Sequence, residues 1–366
     1  MEFGLSESQQ ILKDTARKFF AGECPMPEVR PLMETETAYD KALWEKMAAQ
    51  GFTGIIFAEE FGGMGLGVVE LALLMEEAGY ALLPGPLFST IWAGSMMDAC
   101  GSEQQKQKYL PKICSGQTRG AVAFLETGTS WNLDDLKLSG STGKLTGSKL
   151  FVCDAAIADF LVVPCADGVY FVSSGASGLK ITPMKGMDLT RKIYSVQFSN
   201  TPAEKLAGNL SSSARALEMA TVALTAELAG SMQRVLELTV GYAKTRKQFG
   251  KPIGSFQAVQ HMCADMYLET ESVRSSAYYS AWALQENTAD ASVAVSIAKM
   301  YASDAARNTG NRGIQVHGGM GFTWENDVHL YYRRAKASET MLGDATFHRE
   351  RIAQLVVDGK SIGANL

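Results

Sequence analysis

Closely spaced cysteine pairs are missing from this chain: its six cysteines, at positions 24, 100, 114, 153, 165 and 263, form no Cys-x-x-Cys and are accompanied by only four histidines. That scarcity argues against a disulfide framework or a clustered metal site, and free thiols suit a reducing cytoplasm, the expected location. No apolar run is long enough to span a bilayer. The start, Met1-Glu-Phe-Gly-Leu, has no basic flank and no apolar signal core, so neither membrane insertion nor a secretory leader is expected. Excess positive charge is also lacking: a net charge of -5 disfavours nucleic acid as the main partner. Sequence repeats and low-complexity tails are absent.

What is present is ordinary globular material, 366 residues with 46% apolar and 20% charged, enough for one large core or two or three layers of substructure. Seventeen methionines imply an adaptable core or the lining of a pocket for a flexible substrate. Ser6-x-x-Gln9 is a capping box, and the apolar spacing after it predicts a helix over 6–20. Further helices are expected over 41–50, 68–81, 89–100 and 104–113. The glycine-rich stretch Phe57 to Gly67 lacks the Gly-Lys-Ser/Thr ending of a phosphate loop and reads as a close-packed turn. From about Thr118 the period shortens. The runs 121–125, 149–152, 160–163, 169–172, 179–181 and 193–198 are short, rich in β-branched or aromatic residues and separated by Gly, Ser and Asp, as in a small sheet or barrel. Long helical patterns then return over 214–249, 256–285, 290–316 and 326–355, joined by short loops, which predicts a four-helix bundle.

Two stretches in that last region carry the chemistry. Tyr242-Ala-Lys-Thr-Arg-Lys-Gln-Phe-Gly-Lys-Pro-Ile-Gly-Ser-Phe-Gln257 closes one helix and opens the next. Its Gly250 and Pro252 break the chain, and Arg246 and Lys247 stand in the last turn, where the helix dipole favours cations and a fork of donors can meet an anion. Gln315-Val-His-Gly-Gly-Met-Gly-Phe322 places three glycines in four positions, so that the backbone can approach a pyrophosphate or turn through positive φ. A solvated helix end and a tight turn are the bland alternatives.

Together these stretches resemble the acyl-CoA dehydrogenase family, whose carboxy-terminal domain has an Arg-x-x-Phe-Gly-x-x-Ile-x-x-Phe-Gln run and, later, Gln-x-x-Gly-Gly-x-Gly-Phe/Tyr. The resemblance extends more weakly over nearly the whole chain. It implies a mainly α fold with a β middle domain: an amino-terminal helical domain (1–117), a small β-barrel or sheet (118–208) and a carboxy-terminal helical bundle (209–366). It also implies FAD as cofactor, an acyl-CoA thioester as substrate, an electron-transfer flavoprotein as electron acceptor and assembly into a homo- or hetero-oligomer. Arg246, Phe249 and Gln257, with Gln315, Gly318 and Gly319, are expected to reach the FAD of a neighbouring subunit.

The departures lie elsewhere. The family's Thr-Glu-Pro followed by Gly-x-Gly-Ser is met here by Leu125-Glu126-Thr127-Gly128-Thr129-Ser130-Trp131, and its Lys-x-Trp-Ile-Thr by Lys149-Leu150-Phe151-Val152-Cys153. Leu125, Phe151 and Cys153 therefore stand at flavin-bordering positions with altered side chains, and a core phenylalanine is an equal account of Phe151. The family's catalytic glutamate, in Tyr-Glu-Gly-Thr, is replaced by Leu342, with Asp344 at the threonine as a flavin contact or helix-end group. The alternative place, on the first bundle helix, is Ala220. Glu227 lies two turns further along nearly the same face, amid Val222-Ala-Leu-Thr-Ala226 and Leu228-Ala-Gly230, and an apolar surround makes a carboxylate a stronger base. Glu227 is the expected base, with an exposed structural glutamate as its rival. Glu59 and Glu60 are further candidates; His317 reads as a packed or FAD-contacting residue, and Arg333, Arg334 and Lys336 as ion-pairing or subunit-contact residues. The expected reaction is α,β-dehydrogenation of an acyl-CoA. The rivals are an FAD-sharing subunit whose partner supplies the base, a noncatalytic scaffold, and a related oxidase or monooxygenase.

Overall fold

A computed structural model describes residues 4–140 and 142–359; Met1, Glu2 and Phe3, on which the expectation about a leader partly rests, lie outside the described residues. The helices α1 (Glu7–Glu23), α2 (Met26–Glu34), α3 (Lys41–Ala49), α4 (Val68–Tyr80), α5 (Leu87–Cys100) and α6 (Glu103–Cys114) come first. Strands β1 (Gly120–Val122), β2 (Lys144–Cys153), β3 (Phe160–Cys165), β4 (Gly168–Ser173), β5 (Leu179–Met184), β6 (Ile193–Pro202) and β7 (Glu204–Lys205) follow. The remainder is α7 (Ser213–Thr245), a two-strand hairpin of β8 (Lys247–Gln248) and β9 (Lys251–Pro252), then α8 (Gln257–Gln285), α9 (Ala291–His317), α10 (Val328–Thr340) and α11 (Ala345–Val356). This is the helical, β, helical order expected.

Contacts divide the chain into two compact units, each stitched from separated segments: Met1–Val29, Ala72–Leu83 and Val222–Ala353 in the first, Arg30–Leu71, Pro84–Thr221 and Gln354–Leu366 in the second. In the first unit the long helices pack as a bundle around small residues, among them Ala229, Ala302, Ala305, Ala306 and Ala335. Helices α4 and α7 approach unusually closely. A Cβ on Gly79 would sit 1.9 Å from the Glu227 carbonyl oxygen, and one on Gly230 would sit 1.8 Å from that of Glu76. Only glycine on both sides permits this crossing. Around it lies a buried polar cluster in which Glu76 accepts from Lys13 and Tyr278 and pairs with Arg274, while Glu77 pairs with Arg17.

In the second unit the strands form two sheets, one of order β1-β3-β4-β7, with β1 and β3 parallel, and an antiparallel one of order β2-β6-β5. Alternate side chains of both sheets, including Leu145, Val152, Leu161, Val163, Tyr170, Val196 and Phe198, fill one apolar cluster.

Three local features differ from expectation. Helix α2 has no counterpart among the expected elements, because Pro25, Pro27 and Pro31 obscure its apolar spacing. The helix expected to reach Phe249 ends at Thr245, and Phe249 and Gly250, at φ 51° and 79°, turn the β8-β9 hairpin. The single helix expected over 326–355 is broken between Thr340 and Ala345, where Leu342 and Gly343 adopt φ 60° and 99° and Asp344 caps α11 by accepting from the Phe347 amide at 2.8 Å. The glycine turn near residue 62 is close-packed as read: a Cβ on Gly63 would lie 2.1 Å from the Phe57 carbonyl oxygen.

Candidate active site

The residues expected to hold a cofactor fall into two groups, one in each unit. In the first unit Arg246, Gln257, Gln315, Gly318 and Gly319 are all exposed, and Phe249 is 91% exposed at the tip of the hairpin. Arg246 has no ion-pair partner among the described residues. Gly318 takes φ 60° and ψ -140°, a conformation open essentially to glycine alone, and a Cβ on it or on Gly319 would meet nothing within 4 Å. Gly321 differs, since its Cβ would press on the Ile314 carbonyl oxygen at 2.9 Å, so that glycine serves packing. An uncompensated guanidinium, two exposed carboxamides and bare backbone suit a diphosphate. Beneath them His317 is fixed by a 2.8 Å bond between Nδ1 and the Gly313 carbonyl and by stacking on Tyr242 at 4.4 Å, and burial lowers its pKa. It is a packed residue.

The second group fits less well. Phe151 does: it sits where the β2-β6 register shifts, at φ 54° and 50% exposed, so the bulge turns its ring outward rather than into the core. Cys153, two residues on, is buried. Leu125 makes a backbone bridge to Leu150. The loop after Leu125 is closed on itself. The Glu126 carboxylate accepts from Lys149 Nζ at 2.7 Å and from the amides of Lys137 and Leu138 at 3.0 and 3.1 Å. Burial works against that charge, but these donors still hold the Glu126 carboxyl below its usual range. The Thr129 hydroxyl bonds the Glu126 backbone, and the Ser130 hydroxyl donates to Asp135. Trp131, next to Ser130, stacks on Phe124 at 5.3 Å and lies 6.3 Å from Trp92. Asp134 and Asp135 are exposed beside it. A bulky ring, hydroxyls already bonded and two carboxylates do not suit a diphosphate, although Phe151 suits the face of a flavin ring.

The expected base has different surroundings from those read in the sequence. Glu227 is 2% exposed, and its carboxylate pairs with the guanidinium of Arg334, itself 1% exposed, which also donates to the Leu83 carbonyl at 3.1 Å. The surround therefore includes a buried cation brought from α10. Leu342 and Ala220 are buried, and Glu59 and Glu60 are exposed. Of the other basic residues, Lys336 pairs with Glu339 at 2.6 Å, and Arg333 lies over Trp324 at 5.4 Å. Asp344, exposed at the helix break, serves as the cap described above.

Two features escaped the sequence reading. Lys149 is fully buried, and Lys299 on α9 is fully buried without a carboxylate at ion-pair distance among the described residues. A signal for the second was present: one lysine inside the small and apolar run Val295-Ser-Ile-Ala-Lys-Met-Tyr-Ala302.

Comparison with known proteins gives the family. The acyl-CoA dehydrogenase N-terminal domain model matches residues 6–117, and the corresponding C-terminal domain model matches 210–357. The acyl-CoA dehydrogenase IpdE2 of Mycolicibacterium smegmatis is 30% identical, over 96% of this chain and 98% of its own. Among solved structures, the ChsE4-ChsE5 complex from Mycobacterium tuberculosis matches with TM-score 0.91 at 27% identity, covering 99% of this chain and 100% of that one. The steroid ACAD Tcur3481-Tcur3483 matches with TM-score 0.88 at 28% identity, covering 96% and 98%. The chain belongs to the acyl-CoA dehydrogenase family of FAD-dependent oxidoreductases.

Proposed function

We propose that this chain acts as one subunit of an FAD-dependent acyl-CoA dehydrogenase and that the carboxylate removing the α-proton belongs to a second, non-identical chain. The observation that carries the proposal is the buried Glu227–Arg334 pair, taken with Leu342 and Ala220 at the two places where the family carries its glutamate. A carboxylate whose charge balances a desolvated guanidinium cannot leave it without stranding that cation. Dehydrogenation removes a proton from the α-carbon and a hydride from the β-carbon of the thioester. FAD, when bound, accepts the hydride.

This chain's residues do the holding. Arg246, Gln257, Gln315 and the bare backbone at Gly318 and Gly319 would grip the diphosphate of a cofactor whose other half is held by the neighbouring chain, while Phe249 packs beside it. The closed loop around Trp131 supports that division, since a second copy of this chain would offer the same ill-suited loop. The ChsE4-ChsE5 structure is of a complex, and on this reading the present chain likewise pairs with an unlike one. Phe151 offers an exposed ring for the flavin, electrons pass on to an electron-transfer flavoprotein, and the assembly works in the cytoplasm. Among the described residues no helix is long and apolar enough to cross a membrane.

Expression alone and with each homologous genomic neighbour tests the proposal. The lone chain is expected to purify with little FAD and to leave a panel of acyl-CoA thioesters unoxidised, whereas the right pairing restores both. Full flavin occupancy and turnover from the lone polypeptide would overturn it. In the active pairing, Arg246→Ala is expected to weaken FAD binding about tenfold or more, the loss of one charge-assisted hydrogen bond; unchanged FAD affinity would remove Arg246 from the site.

A further inference from the structure

Helix α7, the end of α9 and the loop entering α10, all in the first unit, line a cavity of about 430 Å³. Small-ligand sites usually measure about 300–1,000 Å³, so this one is large enough to hold a small group. Two features of its lining are not explained by the fold.

The first is Gly241, in the interior of α7. Glycine weakens a helix, and at Gly79 and Gly230 it is needed because a neighbouring backbone passes too close for a side chain. Gly241 has no such neighbour: a Cβ on it would meet nothing within 4 Å, and it lies in ordinary helix. What its missing side chain provides is room in the cavity.

The second is His317, which is 6% exposed. The Gly313 carbonyl can only accept, so Nδ1 carries the ring proton in their 2.8 Å bond. Burial lowers the pKa of the ring, which keeps Nε2 a lone-pair acceptor. Among the described residues Nε2 has no hydrogen-bond partner, and neither has the hydroxyl of Tyr242, whose ring stacks on the imidazole. Both residues line the cavity. Buried polar side chains are seldom left with an unused acceptor, so a donor is missing from the account.

The charges on the lining decide what that donor can be. They are the carboxylates of Glu237, Glu325 and Asp327 against one guanidinium, Arg234, which is taken up by Glu237 at 3.7 Å and by the Tyr80 hydroxyl at 3.3 Å. This set repels an anion, which separates the cavity from the role proposed for Gly318 and Gly319 beside it. A lone-pair nitrogen and carboxylates are all acceptors, so the fitting ligand is a cation with several N–H donors. A guanidinium carries five in one plane and meets carboxylates in pairs, which a point-like ammonium does not.

We propose that this cavity binds a guanidinium group, which donates to Nε2 of His317 and to the carboxylates of Glu325 and Asp327 across the bare backbone of Gly241. The group is brought by a free guanidino compound or by an arginine of an adjoining chain.

The chain has four histidines, so histidine-selective ¹⁵N labelling leaves few imidazoles to follow, with His317 assigned by the loss of its signals in His317→Gln. In the full chain at constant ionic strength, ethylguanidinium is expected to shift the His317 Nε2 resonance saturably, with a Kd of about 1 mM. Tetramethylammonium, which has the charge but no N–H, is expected to leave it in place. Gly241→Leu sends a side chain into the cavity and should weaken binding about tenfold or more while the melting temperature holds or rises. Glu325→Gln and Asp327→Asn should each weaken it about threefold. If Gly241→Leu fails to fold, Gly241→Ala and these two substitutions carry the comparison.

No saturable shift, an equal shift with tetramethylammonium, or unchanged affinity in the cavity-filling and charge-neutral variants overturns the proposal. Displacement of the probe by ADP also overturns it, by assigning the cavity to the cofactor motif beside it. Repeating the titration in the active pairing separates the two sources. Binding as strong as in the lone chain makes the occupant a free guanidino compound, and blocked binding makes it a side chain of the other subunit; both support the guanidinium site. The lone-chain titration does not depend on the functional reading above, whose failure would leave it unchanged.

Discussion

At the scale of single residues, buried charges decide most of what this chain can do. Glu227→Ala leaves Arg334 in the core without its counter-charge and is expected to cost about 3–5 kcal/mol in urea unfolding. Replacing both partners with apolar residues should recover much of that loss. Were Glu227 the base, Glu227→Gln in the active assembly would abolish turnover with little change in KM; with a structural role, the principal loss is stability. His348 gives a pH signature of its own. Its ordinary value is 6.5 and its folded value about 3, so below 6.5 the unfolded chain takes up a proton first. Its contribution to stability is complete above 6.5 and drains away as pH falls toward 3. His348→Gln is expected to flatten that part of the acid limb in a series of urea melts, and an unchanged slope would assign it to other groups.

At the scale of elements, the α4-α7 crossing and the break before α11 set the positions of the side chains that matter. Gly230→Ala is expected to destabilise at or beyond the upper end of the ~1–3 kcal/mol typical of overpacking, because the obstacle is a backbone carbonyl that cannot swing aside. A Cβ added to Gly241, on the same helix, would meet nothing within 4 Å, so Gly241→Ala should stabilise by about 0.5–1 kcal/mol. Equal effects at the two glycines, measured by thermal unfolding, would count against the crossing as the constraint. The helices themselves were legible. The capping box at Ser6, the long apolar repeats and the shift to short β-rich runs announce their elements locally. The break at Leu342 was not legible, because Leu342 takes a left-handed conformation that no local preference of leucine suggests. It is held by Lys299, 44 residues before Gly343, and by His348, 6 residues after Leu342.

At the scale of the whole molecule, the residues expected to meet a cofactor fall into an open half, Arg246, Gln257, Gln315, Gly318 and Gly319, all exposed, and a closed half, the loop after Leu125, whose groups are bonded to one another. The open half was readable because exposed glycines, an arginine and carboxamides occur as contiguous motifs. The closed half was readable only as a set of missing residues. That Trp131 packs on Phe124, and that Lys149 locks Glu126, follows from strands and loops meeting in space.

The sequence by itself determined the kinds of element, their order, the family and the two motifs proposed above to meet a diphosphate, since each of these is written in local spacing. Only the tertiary structure decided that Glu227 faces Arg334, 107 residues further along, instead of a purely apolar wall. A carboxylate's chemistry depends on the charges within a few ångströms of it, and which charges arrive there is fixed by how helices distant in sequence cross.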